Sequence, residues 1–397
     1  MKNISPTLPQ MEVAADKTKS RSNDRTPSLL GMIGVGFLCL ILCGCITEYT
    51  PKGIDVISDI LVVDGIITDD ESYITLSRSV NLTNGDDAWM STQYVYDAKV
   101  CVECDDGSQF FAYFNWSDNR YVIYNGKLDT ERQYRLKIEV DQDEYCSDLS
   151  YPIQTPEIDS VFWTKRGKGQ PVMIYVATHE PRGKVLYYRW SYKEDWEYHA
   201  DYYLENYPYY CWDKANNREL LLGSAEKTVF GKLTDKVTEI SPSSRKISYL
   251  YRIDITQNVI SKRAYDYFAN IKKNSQQIGS IFAPIPSELR GNITCTTDPA
   301  RPVIGYMDIS TTTKKRRFIS STEGAYESPG FNWDCVLVTR DSLLSWYNFI
   351  PSHYVLTNPR EVELSPTAIP YYIKEMCVEC TYYGGTIYKP DDWPNHY

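Results

Sequence analysis

Histidine and recognisable catalytic motifs are both scarce in this chain. Four histidines occur in 397 residues, and none has the spacing of a zinc-binding helix motif. They are His179, His199, His353 and His396. The sequence also has no phosphate-binding loop and no nucleophile elbow. The chain therefore lacks the sequence signatures of common metallohydrolases, nucleotide-binding enzymes and serine hydrolases. We predict no catalytic residue, no metal site and no cofactor.

The longest apolar run lies near the start of the chain, from Leu29 to Leu42. Its fourteen residues are too few to span a bilayer, which takes about 20. Basic residues precede the run, as in a secretory signal. The run ends in Leu42-Cys43-Gly44-Cys45, which resembles the lipobox of bacterial lipoproteins. That resemblance implies cleavage before Cys45 and acylation of its sulfur and its amino group. An ordinary cleaved signal with a free Cys45 is the alternative.

A lipidated amino terminus predicts where the mature protein lies. Residues 1–44 are then a lipoprotein signal peptide, and residues 45–58 are a lipidated tether. Several acyl chains on Cys45 bind a membrane stably, so we expect a protein anchored in the cell outer membrane. Ile46 follows the cysteine, and nothing there argues for retention in an inner membrane. Whether the body faces the periplasm or the outside stays open, as does translation from Met1 or Met11.

Composition indicates an acidic, strand-rich body. Removing residues 1–44 takes away five basic and three acidic residues, so the formal net charge goes from −10 to −12. An acidic surface argues against nucleic acid as a partner. The 34 tyrosines and nine tryptophans of the chain favour strands over helices.

Residues 59–150 have the pattern of an N-terminal β-sandwich. Strands are predicted from Asp59 to Thr68 and from Tyr73 to Ser79, and a hairpin turn is predicted at Asp106-Gly107. The segment from Tyr134 to Val140 alternates cleanly between apolar and polar residues. Strand patterns recur every eight to twelve residues or so, as in a sandwich of about a hundred residues. Two prolines then mark a linker over residues 151–159.

Residues 160–397 are predicted to form a larger β-rich second domain. One short helix stands out, with Ser261 as its N-cap and an end near Lys272-Lys273-Asn274. Its apolar face contains Ala264, Tyr267, Phe268 and Ile271. A basic run at 314–317 is predicted to be a solvated hairpin or to protect an edge strand, rather than to bind phosphate. Trp393 is predicted to pack the C-terminal tail. The fold class is therefore mainly β, as two β-rich domains.

Several patches of sequence occur together in one known family. They are "LVVDGIIT" followed by "ITLSRS", "YDAKVCVECDDG", "YRLKIEV", "YYCWD", "GSIFAPIPSELRGNITC" and "CVECTYYGGTIYKPDDW". In this order they resemble the Bacteroidota lipoproteins catalogued as domain of unknown function 4249. The resemblance implies an outer-membrane lipoprotein, often encoded beside a TonB-dependent receptor, with an Ig-like or transthyretin-like first domain. It implies no established reaction.

Eight cysteines remain after the signal peptide and Cys45 are set aside, and all are candidates for disulfides. They are Cys101, Cys104, Cys146, Cys211, Cys295, Cys335, Cys377 and Cys380. In a cell envelope, cysteines at this frequency favour disulfides. The motif "CVEC" occurs at 101–104 and again at 377–380. The first copy lies in an alternating strand, where residues three apart face opposite sides, so its two thiols can neither pair with each other nor bind one ion.

The distribution of these cysteines constrains their pairing. Three lie in the first predicted domain and five in the second, so full pairing requires a bridge between the domains. We expect Cys104 to pair with Cys146 inside the first sandwich. We expect Cys377 and Cys380 to staple the tail of the second domain to two of the three cysteines at 211, 295 and 335.

One aromatic stretch is the candidate binding surface. Twelve aromatic residues occur between Tyr187 and Trp212, and carboxylates are interleaved with those in the middle. Such amphipathic aromatics suit contact with a protein or a glycan, although a tyrosine-rich sandwich core is the plainer interpretation. The surface would contain Trp196, Tyr198, Tyr202, Tyr203 and Tyr207.

From the sequence we therefore expect a non-catalytic, lipid-anchored accessory or binding protein of the outer membrane. The resemblance adds a TonB-dependent receptor as partner and nutrient uptake as context. A fimbrillin-like adhesin or pilus component is the alternative. An envelope enzyme of unknown reaction is a second alternative, because carboxylates brought together only by folding leave no sequence motif.

Overall fold

A computed structural model describes residues 59–79, 92–217, 219–277, 290–330, 332–357 and 371–395. The predicted signal peptide, Cys45 and the tether lie outside the described residues. The first strands are β1 Leu61–Ile66, β2 Asp70–Arg78, β3 Gln93–Tyr94, β4 Lys99–Cys104, β5 Gln109–Asn115, β6 Arg120–Gly126, β7 Tyr134–Val140, β8 Asp143–Ser147, β9 Ile158–Lys165, β10 Val172–His179 and β11 Tyr187–His199. The next are β12 Tyr210–Asn216, β13 Leu221–Ser224, β14 Lys232–Ile240, β15 Leu250–Ile260, β16 Ile293–Cys295, β17 Val303–Gly305, β18 Thr312–Ser320, β19 Val338–Thr339, β20 Tyr354–Thr357 and β21 Tyr371–Lys374. The helices of the described part are α1 Lys262–Gln277 and α2 Arg340–Tyr347.

The fold is mainly β, as predicted, and its first sheet has ten strands. The order is β16-β8-β7-β4-β5-β6-β2-β1-β17, with β3 beside β2. The first half of β5 pairs with β4, and its second half pairs with β6. The sheet therefore folds over at β5 and encloses one apolar core, to which both halves contribute. Strand β7 has the predicted bounds, and its residues alternate between buried and half-buried.

Two strands of this first sheet come from much later in the chain. Strand β17 pairs in parallel with β1, with Leu61 opposite Val303. Strand β16 pairs with β8, with Thr294 opposite Cys146. The predicted second domain thus contributes both outer strands of the first sandwich. All described residues belong to one compact unit.

A second sandwich forms from the middle of the chain. A three-stranded sheet, β14-β10-β9, faces a larger sheet of order β12-β11-β15-β18, in which β13 also pairs with β11. Their inner faces share one core that includes Ile174, Trp190 and Tyr251. The basic run at 314–317 lies on the outermost strand of the larger sheet, β18, where an edge-strand position was predicted. Strands β19, β21 and β20 form a small third sheet.

Helix α1 begins where the sequence predicts. The hydroxyl of Ser261 accepts a hydrogen bond from the backbone N–H of Ala264 at 3.1 Å, which satisfies one of the unpaired donors of the first turn. The predicted apolar face packs against residues of both sandwiches, including Ile66 and Tyr187. The helix is longer than predicted and ends at Gln277. The short helix α2 was not predicted. No helix in the described ranges is long and apolar enough to cross a membrane.

Two disulfides attach the C-terminal part of the chain. Cys211 pairs with Cys380, and Cys335 pairs with Cys377. The expectation that Cys377 and Cys380 staple the tail to the second domain is confirmed.

The predicted Cys104–Cys146 bridge is wrong. Strand β7 lies between the strands that carry these two cysteines, so two interstrand spacings of about 4.8 Å separate them. Cys104 belongs to the apolar core, whereas Cys146 is opposite Lys137 and lies near charged groups. Cys101 shares that outer environment, so Cys101 and Cys104 face opposite sides, as predicted.

Four thiols are consequently unpaired and buried, namely Cys101, Cys104, Cys146 and Cys295. Burial raises the pKa of Cys101 to about 11 and also raises the pKa of Cys146, which keeps both in the less reactive thiol form. Without reductant, we expect a soluble thiol reagent to label none of the four in the folded protein and all four in denaturant. Peptide mapping checks this result, and a peptide that joins any two of them would contradict it.

A C-terminal strap, residues 384–394, crosses the outer face of the larger sheet. Thr386 and Trp212 exchange backbone hydrogen bonds of 2.8 Å. Trp393 is 4% exposed, and its indole N–H donates to the carboxylate of Glu197 at 2.7 Å. The prediction that Trp393 packs the tail is confirmed. Asp392 accepts hydrogen bonds from Arg252, at 2.5 Å, and from the neighbouring strand's Arg316.

These ion pairs make strap attachment depend on pH. Hydrogen bonds from Arg252 and then Arg316 lower the pKa of Asp392 to about 2. A lowered folded-state pKa stabilises the fold above the unfolded value, about 3.9, and this contribution is lost as the pH falls towards 2. Because Asp392 is half exposed, we expect Asp392→Asn to cost less than about 1 kcal/mol near neutral pH.

Thermal melting of wild type and variant over this pH range tests the prediction. The difference in melting temperature should shrink as the solution is acidified. Asp391→Asn is the matched control, because the adjacent Asp391 is exposed and has no ion pair in the described part of the chain. A difference for Asp392→Asn that persists at the acid end would contradict the assignment.

Candidate functional site

A cleft of about 620 Å³ lies between the outer faces of the two sandwiches. One wall consists of β1, β2 and β6, and the other consists of β11, β15 and β18. Side chains alternate between the two faces of a strand, and the side chains on the strands of both walls that line the cleft point away from the two cores. The first wall presents Asp64, Thr68, Asp69, Glu71, Tyr73, Thr75 and Arg120. The second wall presents Arg189, Ser191, Lys193, Thr256, Asn258, Thr312 and Lys314. We refer to this space as the inter-sandwich cleft.

One ion pair crosses the cleft. The guanidinium of Arg189 on β11 lies 2.9 Å from the Asp64 carboxylate on β1. The same guanidinium is 5.0 Å from the ring centroid of Phe268 on α1, a cation–π distance. Both partners also line an adjoining cavity of about 550 Å³, which the apolar face of α1 helps to form. The Asp64–Arg189 ion pair therefore connects the two walls at the place where the polar cleft meets the more apolar adjoining cavity.

A tyrosine, a carboxylate and an arginine form the polar end of the first wall. The Tyr73 hydroxyl donates a hydrogen bond to Glu71, and the Arg120 guanidinium is 4.2 Å from the Tyr73 ring centroid. Arg120 is held in turn by Asp118 at 2.5 Å. Burial, followed by the hydrogen bond to Glu71, raises the pKa of Tyr73. The phenol therefore stays neutral, and its position is fixed.

Two lysines on the opposite wall have no such partner. Lys193 on β11 and Lys314 on β18 are exposed, and neither forms an ion pair with any residue that the structure describes. Ser191 and Thr256 lie beside them on the same wall. This wall therefore offers hydrogen-bond donors that nothing in the described part of the protein occupies.

Exposed aromatic side chains continue the first wall beyond the cleft. We name Phe111, Tyr113 and Tyr124, on the outer faces of β5 and β6, the aromatic platform. Tyr113 and Tyr124 stack with ring centroids 5.8 Å apart and an angle of 26° between the rings. Their hydroxyls are 3.2 Å apart. Tyr124 is paired across the strands with Glu71, so the platform and the cleft share one face of the first sheet.

The predicted aromatic surface is not formed by its two members on β11, Trp196 and Tyr198, and the prediction is wrong for both. Trp196 and Tyr198 are 8% and 2% exposed and belong to the core of the second sandwich. The Tyr198 hydroxyl donates to the carbonyl of Cys380 at 3.0 Å. The carboxylates beside them do not mark a wet surface, because Glu194 and Glu197 are themselves buried. Glu194 accepts a hydrogen bond from the Tyr251 hydroxyl at 2.8 Å.

The other three predicted residues lie in the segment after β11. Tyr202 and Tyr207 are partly buried against the small core that contains the Cys335–Cys377 bridge. Tyr203 is exposed, and its ring packs edge-on against Tyr209. The structure thus does not bring the five predicted aromatics together on one open surface.

The histidines of the described residues have carboxylate or aromatic neighbours. His179 Nδ1 is 2.7 Å from Asp159, and His199 Nε2 is 2.9 Å from Glu197. The ring of His353 packs beside Tyr354. His396 lies outside the described residues. In that part of the chain, no hydrogen bond joins a histidine to a serine, threonine or cysteine.

One cluster has the composition of a metal site. Donor atoms of Asp201, Cys335 and Cys377 lie within 4.8 Å of one another. The two sulfurs are bonded to each other, and a metal ion requires thiolates. The disulfide therefore accounts for this cluster.

The fold and the site geometry can be set beside known proteins. The sequence model of the family described as domain of unknown function (DUF4249) matches residues 46–316. The chain belongs to this family. The match includes every residue named in the two walls of the cleft and in the aromatic platform. No curated protein matches the chain.

Sequence reasoning missed the cleft. Its residues come from six strands and from the turn between β1 and β2, in distant parts of the chain, and the charged groups of the two walls form no recognisable sequence motif. The available signal was the pair of cations Arg189 and Lys193, which lie four positions apart and therefore on one face of β11, among its aromatic and acidic residues. That signal identifies the outer face of β11, but it does not show that the outer face of the first sandwich lies opposite.

Proposed function

We propose that this protein is a lipid-anchored binding protein of the outer membrane that acts, without catalysis, as an accessory to a TonB-dependent receptor in nutrient uptake. The observation that carries the binding role is the inter-sandwich cleft, with two lysines that lack ion-pair partners and a bridging Asp64–Arg189 pair that holds its walls. A largely pre-formed concave site with convergent polar groups is typical of ligand binding.

The compartment is supported by two features. The two disulfides favour an oxidising environment such as the cell envelope. The lipobox-like residues before Cys45 provide a lipid attachment point, and multiple acyl chains anchor a protein stably. Both features fit a globular body held at a membrane surface by a short tether. The receptor as partner rests on the resemblance of the sequence patches to family lipoproteins.

Cross-linking in native outer membranes tests the proposal. A tagged copy is mildly cross-linked and purified, and the captured proteins are identified. We expect a TonB-dependent receptor to be enriched relative to an unrelated outer-membrane lipoprotein used as bait at matched abundance. A Cys45→Ala copy should lose both membrane attachment and capture. Equal recovery of the receptor with both baits would contradict the accessory role.

The same material distinguishes the adhesin alternative. Polymerised fimbrillins lose their lipidated end by cleavage after an arginine, so the mature amino terminus is informative. Mass spectrometry of the purified protein should find acylated Cys45 as the first residue. A mature chain that begins after an arginine and is recovered in filaments would favour the pilus component instead.

A further inference from the structure

We propose that the aromatic platform and the inter-sandwich cleft together bind one neutral oligosaccharide chain. This inference rests on the proposed binding role and names the chemical class of its ligand. It is carried by three observations: the exposed rings, their continuity with the cleft, and the balance of charge inside the cleft.

The platform has the form of a stacking surface. Tyr113 and Tyr124 are 48% and 62% exposed, and Phe111 is 54% exposed. Their positions are fixed, because they lie on paired strands of a sheet. Aromatic side chains offer a flat apolar face and, in tyrosine, a polar edge. A sugar ring has the matching form, with an apolar face of C–H groups and hydroxyls at its rim.

The platform leads directly into the cleft. Strands β5, β6 and β2 are neighbours, so the two ends of this surface are separated by about 10 Å. Tyr124 is opposite Glu71 at the platform end, and Tyr73 is opposite Val122 two pairs further along, on the same face. An extended chain that stacks on Tyr113 and Tyr124 therefore reaches the polar groups of the cleft without a change of direction.

Charge in the cleft favours a neutral ligand. Four cationic side chains and three carboxylates line it, and a fourth carboxylate, that of Asp118, pairs with Arg120. The charges therefore cancel. What remains is a dense set of donors and acceptors, among them Lys193, Lys314 and Glu71. Sugar hydroxyls both donate and accept hydrogen bonds, so they can pair with groups of either sign.

The test uses the full-length lipoprotein, purified in a detergent without a sugar headgroup. It is applied to an array of neutral gluco-, manno-, xylo- and galacto-oligosaccharides, with tetraglycine and trigalacturonate as zwitterionic and anionic probes. The best binder is then titrated calorimetrically. We expect a neutral oligosaccharide to bind, with an affinity that changes little as salt rises from about 50 mM to about 500 mM, because a neutral ligand has no charge to screen.

Variants then locate the site. Replacing Tyr113 and Tyr124 together with alanine is expected to weaken binding about tenfold, which corresponds to about 1.4 kcal/mol, because the variant loses both stacking rings. Glu71→Gln should also weaken binding. Tyr388→Ala is the matched control, because Tyr388 is 78% exposed and lies outside the platform and the cleft. Melting temperatures near that of wild type show that each variant is folded.

Several results would overturn the inference. They are the absence of any neutral binder on the array, binding confined to tetraglycine or trigalacturonate, and unchanged affinity in the folded double-tyrosine variant. Failure of receptor capture with intact sugar binding would instead contradict the accessory role alone. Receptor capture without sugar binding would leave that role in place and reject the ligand class.

Discussion

Replacing Cys211 and Cys380 together with alanine is expected to lower the free energy of unfolding by about 5 kcal/mol. The bridge joins residues 169 positions apart, and a longer closed loop removes more conformational freedom from the unfolded chain. Both cysteines are fully buried, and the bridge holds the chain just before the C-terminal strap. Equilibrium urea denaturation without reductant measures the change.

Two comparisons make this result specific. The Cys335–Cys377 bridge closes a shorter loop, with a separation of 42, and its removal should cost about 4 kcal/mol. Cys101→Ala changes a buried but unpaired cysteine, and it should cost about 1 kcal/mol. If the Cys211/Cys380 variant is no less stable than Cys101→Ala, the bridge does not constrain the chain as described.

Gly291→Ala is expected to destabilise the protein by about 3 kcal/mol or more. A Cβ at this position would lie 1.6 Å from the carbonyl oxygen of Gly305, which is a backbone atom of β17. Overpacking usually costs about 1 to 3 kcal/mol, and relief here requires that the backbone at residue 291 or at β17 shift. Thermal or urea unfolding of the variant measures the loss.

Gly167→Ala is the matched control for this substitution. A Cβ at Gly167 would meet no atom within 4 Å, so the change there should stay within about 0.5 kcal/mol of wild type. Similar stability of the two variants would show that residues 291 and 305 do not approach each other as described. The comparison therefore tests the attachment of the late strands to the first sandwich.

Local patterns predicted much of the fold. The bounds of β7, the turn at Asp106-Gly107 and the N-cap at Ser261 all depend on residues within a few positions of one another. Gly107 has the positive φ of 89° that such a turn requires and that glycine adopts at little cost. The opposite orientation of Cys101 and Cys104 also follows from alternation within one strand.

Non-local pairing could not be predicted in the same way. Strands β16 and β17 have three residues each, which is too short for a period to be visible. The Cys104–Cys146 prediction fails because it treats the strands that carry these cysteines as neighbours, whereas β7 lies between them in the sheet. The exposed-surface prediction fails at Trp196 and Tyr198 because they lie on the face of β11 that packs in the second core. The opposite face is covered by the C-terminal strap near Glu197 and is open towards the cleft.

The cleft could not be predicted from the sequence for the same reason, because it depends on contacts between distant parts of the chain. Each wall is an ordinary outer strand face, and only their opposition creates a site. Part of the platform could be predicted from the sequence, since Phe111 and Tyr113 occupy alternate positions of a predicted hairpin strand and must share one face of it. Their exposure depends on the outer face of β5 lacking a covering layer, which no local pattern reveals.

The parallel pairing of β1 with β17 also governs the order in which the protein can be completed. Residues 61–63 pair with residues 303–305, so the first sheet is complete only once this late segment has docked. Until then the nascent first sandwich has one open edge at β1 and another at β8. Open strand edges are templates for misassembly, so a chain that lacks residues 293–305 is expected to aggregate more readily than the full-length protein.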